Sequence, residues 1–94
     1  MITLRATDVV YFSVKDEEAF FAWLRNIKCV ADFNGVGPNL AIRVQPPADT
    51  DLRELIALFF RYNIDRRQLA QFLNPQNASW FRDTTAYWHA AVFE

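Results

Sequence analysis

Two side chains in this 94-residue chain have the chemistry of a nucleophile and a base: Cys29, the single cysteine, and His89, the single histidine. Brought together in space, the imidazole would draw the thiol proton and leave a thiolate able to attack a carbonyl. Their surroundings argue for a quieter role, because Cys29 opens the apolar run 29–33, where a lone thiol behaves as a small hydrophobe. One histidine supplies no multi-histidine metal site, and no nucleophile elbow, phosphate-binding glycine loop or zinc spacing occurs. The acids Asp8, Asp16, Glu17, Glu18, Asp49 and Asp51 fall at the ends of expected elements, where capping accounts for them. The expectation is a protein with no catalytic residues, no metal and no cofactor.

Recognition chemistry is better represented. Eight of the ten basic residues are arginine, and a guanidinium favours bidentate and stacked contacts over simple solvation. Arg61, Arg66 and Arg67 flank the turn 62–65, with Arg82 placed to join them and Asp65 and Glu54 placed to offset their charge. Tyr62, Trp80, Tyr87 and Trp88 lie on the same half of the chain. Trp, Tyr and Arg dominate the energetics of protein interfaces, so these eight residues are the candidate partner-binding set.

The whole composition permits that reading and excludes others. At 94 residues and 11.0 kDa the chain is one domain, with 52% hydrophobic and 16% aromatic residues against the composition of a disordered segment. Ten basic and eleven acidic side chains leave no electrostatic footprint for nucleic acid or an anionic membrane. The single cysteine forbids an internal disulfide and fits a reducing compartment. The first residues, MITLRATDVVYFSV, carry neither a basic leader nor a long apolar run, and a cytoplasmic protein without membrane spans is expected.

The element that organises the rest is the segment 51–62, where Leu52, Leu55, Ile56, Phe59 and Phe60 repeat at helical spacing on one face. Asp51 is the expected N-cap, with Glu54 reaching back to it, and Pro46-Pro47 separates this helix from what precedes. Before it, 3–14 reads as a strand with Val9, Tyr11 and Ser13 alternating against Val10, Phe12 and Val14. A helix capped by Asp16 then buries Phe20, Trp23, Leu24 and Ile27, leaving Phe21 off the stripe. The segments 29–33 and 40–45 read as a hairpin joined by the loop 34–39. After the central helix, Asn63 suits a left-handed position, and Asp65 with Gln68 forms a capping box for a further helix stapled by Ile64 and Leu69 and ended at Asn74-Pro75. In the tail a short turn is expected at 78–81 and a helix at 84–92, with a strand at 87–93 as the alternative. The fold class is α+β: a small three-stranded sheet in the order strand, helix, strand, strand, antiparallel or mixed, packed against C-terminal helices.

Residues 51–88 also bear on DNA binding, since 65–73 resembles the first helix of a helix-turn-helix, with Ala70 at the small position. The turn then holds Asn74 and Pro75, and the recognition segment 77–82 contributes one basic residue, so a DNA-binding regulator is the alternative reading. The residues 58–65, followed by Gln68-Leu69, Phe72, Asn77, Trp80-Phe81, Tyr87-Trp88 and Val92-Phe93, resemble a pattern in small bacterial proteins of the toxin-immunity type. That resemblance covers roughly the last 40 residues and implies a cytoplasmic, non-catalytic protein that binds another protein, as an immunity protein or antitoxin blocks a partner enzyme. The tail aromatics could equally serve a homodimer seam, so monomer and homodimer are both open. An apolar small-molecule pocket would leave no motif.

Overall fold

The chain leaves its first strand earlier than its apolar alternation suggests. The computed structural model describes residues 1–94, and in it β1 spans Ile2–Thr7 only. The Thr7 hydroxyl donates to Asn39 Oδ1 (2.8 Å) and the Asp8 amide donates to the Pro38 carbonyl (3.0 Å), closing the end of the ladder. Asp8 then takes φ +53°, a left-handed conformation that Asp tolerates better than most residues, and turns the chain out of the sheet. Residues 9–13 are therefore loop, not the end of a central strand.

Helix α1 (Val14–Arg25) starts on Ser13, whose Oγ accepts the Asp16 amide. Asp16, the expected cap, sits in the first turn and accepts from the Phe12 amide instead. Strands β2 (Val30–Val36) and β3 (Asn39–Val44) form a hairpin whose turn is just Gly37-Pro38, tighter than the expected six-residue loop. Gly37 has φ +60°, and a positive φ followed by proline is the pattern of a II′ turn, which matches strand twist. The sheet order is β1-β3-β2 with both pairings antiparallel. Leu4, Ala6, Leu40, Ile42 and Val44 point to one face and are buried, while Thr3, Arg5, Thr7 and Arg43 lie exposed on the other.

Helix α2 (Asp49–Arg61) covers the buried face with Leu52, Leu55, Ile56 and Phe59, as its spacing dictates, and also buries Leu58. Its cap position is Ala48, one turn earlier than expected. Asp51 does the work of a reciprocal cap from inside the first turn: one oxygen accepts the Ala48 amide (3.0 Å) and the other the Cys29 amide (3.3 Å), tying the helix start to the hairpin. Glu54 accepts instead from the Trp23 indole N–H (2.9 Å), linking α1 to α2.

The segment after Asp65 is a 3₁₀ helix (Arg66–Phe72), not an α-helix. Asp65 caps it by accepting the Arg67 amide, as expected, but Gln68 is drawn away from any capping box. Its Oε1 accepts the Arg5 amide and its Nε2 donates to the Arg5 carbonyl, both at 2.7 Å, so one side chain plays the part of a neighbouring strand on the edge of β1. Gln68→Ala is expected to cost about 1–2 kcal/mol and to speed amide exchange at Arg5 while Ile42 in the central strand keeps its protection. Unchanged exchange at Arg5 would show that the edge is not held this way. Two short helices finish the chain, α3 (Ala78–Phe81) and α4 (His89–Phe93), so neither the tail strand nor a continuous helix over 84–92 forms.

Candidate functional site

The groove begins where β1 ends. One cavity of about 520 Å³ is lined by Thr7, Asp8, Val10, Phe12, Arg61, Tyr62 and Asn63. A second, of about 450 Å³, is lined by Thr7, Asn63, Asp65, Arg66, Arg67, Ala90 and Ala91. They share Thr7 and Asn63, so the two adjoin and together trace a groove from the loop 9–13 past the end of α2 to the start of the 3₁₀ helix. Asp8 and Asn63, the chain's two non-glycine residues at positive φ, lie along it. The left-handed Asn63 is the one expected after the central helix.

The loop that forms the apolar end is pinned, although its side chains are not. Tyr11 points inward against Phe20 (5.6 Å between rings), Phe21 and Tyr62. Asp16 clasps the loop from below, accepting the Phe12 amide on one oxygen (2.9 Å) and the Tyr62 hydroxyl on the other (3.0 Å). The alternate residues therefore face water: Val10 is 63% exposed, Phe12 91% and Val14 72%. The spacing that reads as a strand is preserved as an in-out alternation, but the outward side has no layer over it.

The Phe12 amide, with help from the Tyr62 hydroxyl and the nearby Arg61 charge, holds the Asp16 carboxyl below the usual carboxylate range. Burial and the bond to Asp16 push the Tyr62 phenol up. Because the folded carboxyl is the stronger acid, the clasp is fully made above the unfolded value near 4 and is lost only as pH falls through the lower native value. A titration followed by NMR is expected to show the Phe12 amide shift constant from neutral pH down to about 4 and moving below it. In Asp16→Ala the Phe12 amide should lose exchange protection at neutral pH. Protection equal to the parent protein would remove the clasp from the account.

The expected partner-binding residues divide between this groove and a neighbouring strip. Arg61, Tyr62, Arg66 and Arg67 line the groove. Trp80, Tyr87 and Trp88 belong to a row of edge-on aromatics in which Trp80 meets Trp88 (6.1 Å), Trp88 meets Tyr87 (5.1 Å) and Tyr87 meets Phe60 (4.9 Å). A guanidinium closes each end, Arg53 over Trp80 at 4.0 Å and Arg66 over Phe60 at 4.7 Å. Trp88 is tied down by its indole N–H, which donates to the Phe81 carbonyl (2.7 Å). Trp80 is half-buried with its Nε1 enclosed, whereas Tyr87 stands 63% exposed. Arg82 is exposed just past α3 and lines neither cavity. Val10, Phe12, Arg53 and Phe60 are absent from the sequence-based set, the first two because strand residues were expected there.

The nucleophile and base do not come together as a pair. His89 Nδ1 lies 3.0 Å from a Glu94 carboxylate oxygen and its ring packs on Phe93. Cys29 is buried beside the start of α2, where burial and then the Asp51 charge push its thiol up to about 11, so it stays protonated near neutral pH. No three His, Cys, Asp or Glu side chains converge as a metal site, and no helix is long and apolar enough to cross a membrane. In the segment read as a helix-turn-helix, a 3₁₀ helix stands for the first helix and the four-residue α3 for the recognition helix. That is too short to lay a row of side chains along a major groove. Comparison with known proteins adds no relative: no family model, curated protein or solved structure matches the chain.

Proposed function

We propose that this chain is a non-enzymatic protein-binding module whose docking face is the groove between the loop 9–13 and the end of α2, and that it works as an immunity protein or antitoxin does, by occluding a partner enzyme. The observation that carries the reading is Phe12. Its side chain is 91% exposed while its own amide is clamped to Asp16, so a large aromatic is held out in water by a fixed backbone. A freely moving loop could fold such a ring back onto the core; this one presents it beside Val10, Arg61 and Tyr62. Apolar anchors ringed by Arg and Tyr are the composition of interface centres. The pinned backbone also means that little ordering entropy is left to lose on docking.

The test uses the chain as bait in a bacterial extract beside Phe12→Ser. A partner enzyme retained by the parent chain, inhibited by it at equal stoichiometry and bound about 30-fold more weakly by Phe12→Ser, is the expected result. The substitution should leave folding stability within about 0.5 kcal/mol, because an exposed ring contributes little to the core. Binding that is indifferent to Phe12, Arg61 and Tyr62 would place the docking face elsewhere. A retained partner whose activity is untouched would remove the inhibitory role and leave only the binding.

A further inference from the structure

We infer that the groove takes an acidic protein segment carrying an apolar anchor, the apolar side chain seating against Val10 and Phe12 and the carboxylates on Arg66 and Arg67. This rests on the reading of the groove as a protein-docking surface. The two ends differ in chemistry: Val10 and Phe12 make one wall apolar, and Arg66 and Arg67 face the other end. Arg66 is held from behind, its Nη1 donating to Asn63 Oδ1 (2.8 Å) and the Ile64 carbonyl (3.2 Å) while the guanidinium lies over Phe60. Those two bonds fix the plane of the fork and use one nitrogen, leaving the other donors for a planar acceptor such as a carboxylate. A guanidinium already fixed loses little freedom on pairing.

Charge balance favours the same occupant. None of Arg61, Arg66 and Arg67 is in an ion pair; the pairs in the molecule are Lys15 with Glu18, Arg43 with Asp32 and His89 with Glu94. The groove's own acids are Asp8 and Asp65, and Asp65 is turned to the Arg67 amide. Arg61 lies near the Asp16 carboxylate, so the surplus sits at the other end, where Arg66 and Arg67 face the single carboxylate of Asp65, in a chain whose formal net charge is −1. An inorganic anion would leave the apolar wall uncovered, and a nucleic acid backbone would need a longer basic track. A peptide segment satisfies both ends at once.

The test pans a phage-displayed library of random peptides on the parent chain, then measures an enriched peptide by fluorescence anisotropy. Enriched sequences are expected to place Asp or Glu close to Phe, Leu or Trp. Binding should weaken about ten-fold with Arg66→Glu and with Phe12→Ser, and several-fold between about 50 and 500 mM salt. Arg67→Glu, at an exposed side chain with no hydrogen-bond partner of its own, should weaken binding in the same direction, whatever Arg66→Glu does to folding. Peptides without acids, or acidic peptides indifferent to both charge reversals but lost with Phe12→Ser, would overturn the acidic assignment and leave the docking groove standing. No enrichment at all, where a control peptide-binding domain enriches its motif, would count against the docking groove as well.

Discussion

Phe20→Ala is expected to remove about 3–5 kcal/mol of stability, the range for emptying a phenylalanine site that the surroundings cannot refill. Phe20 is fully buried and stands at the centre of three rings, with Tyr62 at 4.8 Å, Phe21 at 5.1 Å and Tyr11 at 5.6 Å. A domain of this size has roughly 5–14 kcal/mol in all, so the loss takes a large part of it. Urea unfolding should show a lower midpoint at unchanged slope, and the melting temperature should fall by between about 12 and 40 °C. Phe20→Leu, which keeps most of the volume, should lose less than half as much. The variant also bears on binding. Tyr11 and Tyr62 are the inward anchors of the loop that displays Phe12, and both rest on Phe20. If Phe20→Ala unfolds at the parent midpoint, the cluster is not a stability element and the rigidity assigned to the Phe12 loop loses its support.

What the sequence made legible was periodicity. The stripe Leu52, Leu55, Ile56 and Phe59 has no other way to be buried than as one face of a helix, and the alternation Leu40, Ile42, Val44 can only be a strand with one covered side. Both appear, though Phe60, the fifth residue expected on the helix stripe, is only half-buried while Leu58 is buried, and the left-handed Asn63 appears as expected. What was not legible is where a long-range partner overrides a local rule. Gln68 satisfies the capping-box pattern three residues after Asp65, yet the open edge of β1 offers it two backbone groups at 2.7 Å, and the segment winds as a 3₁₀ helix. The spacing of Asp51 and Glu54 is that of a single cap, but each has a partner on another element.

The site shows the same division. Arg61, Tyr62, Arg66 and Arg67 could be found because they cluster in sequence around one turn. Val10 and Phe12 could not, since five alternating apolar and aromatic residues promise a strand and only the positive φ of Asp8 takes them out of the sheet. Nor could the sequence tell which tail aromatics would face water. Trp88 is held by a carbonyl seven residues earlier and Trp80 is covered by Arg53 from α2, and only Tyr87 is left outward.

Asn77→Ala is expected to be nearly as damaging as the loss of Phe20, for a polar reason. Asn77 is the one buried polar residue of the chain, 3% exposed. Its Nδ2 donates to the Phe72 carbonyl and its Oδ1 accepts the Asn74 amide, both at 2.9 Å, while Asn74 Oδ1 accepts the Asn77 amide in return. The pair thus joins the end of the 3₁₀ helix to α3 across the turn at Pro75. Truncation strands the buried Phe72 carbonyl, at about 1–3 kcal/mol, and breaks the part-buried bond from the Asn74 amide, at about 1 kcal/mol, so a loss of about 2–4 kcal/mol is expected from urea unfolding. Asn77→Asp separates the two halves of the bond. The introduced carboxylate can still accept from Asn74 but repels the Phe72 carbonyl, so its native acidity should be weakened relative to the unfolded chain. Its charge penalty is then absent below about pH 4 and grows as pH rises through the raised native value, opposite in sign to the Asp16 clasp. Relative to the parent chain, Asn77→Asp should therefore be less destabilised at acid pH than at neutral pH. A pH-independent difference would mean that the donor to Phe72 contributes nothing to holding the turn.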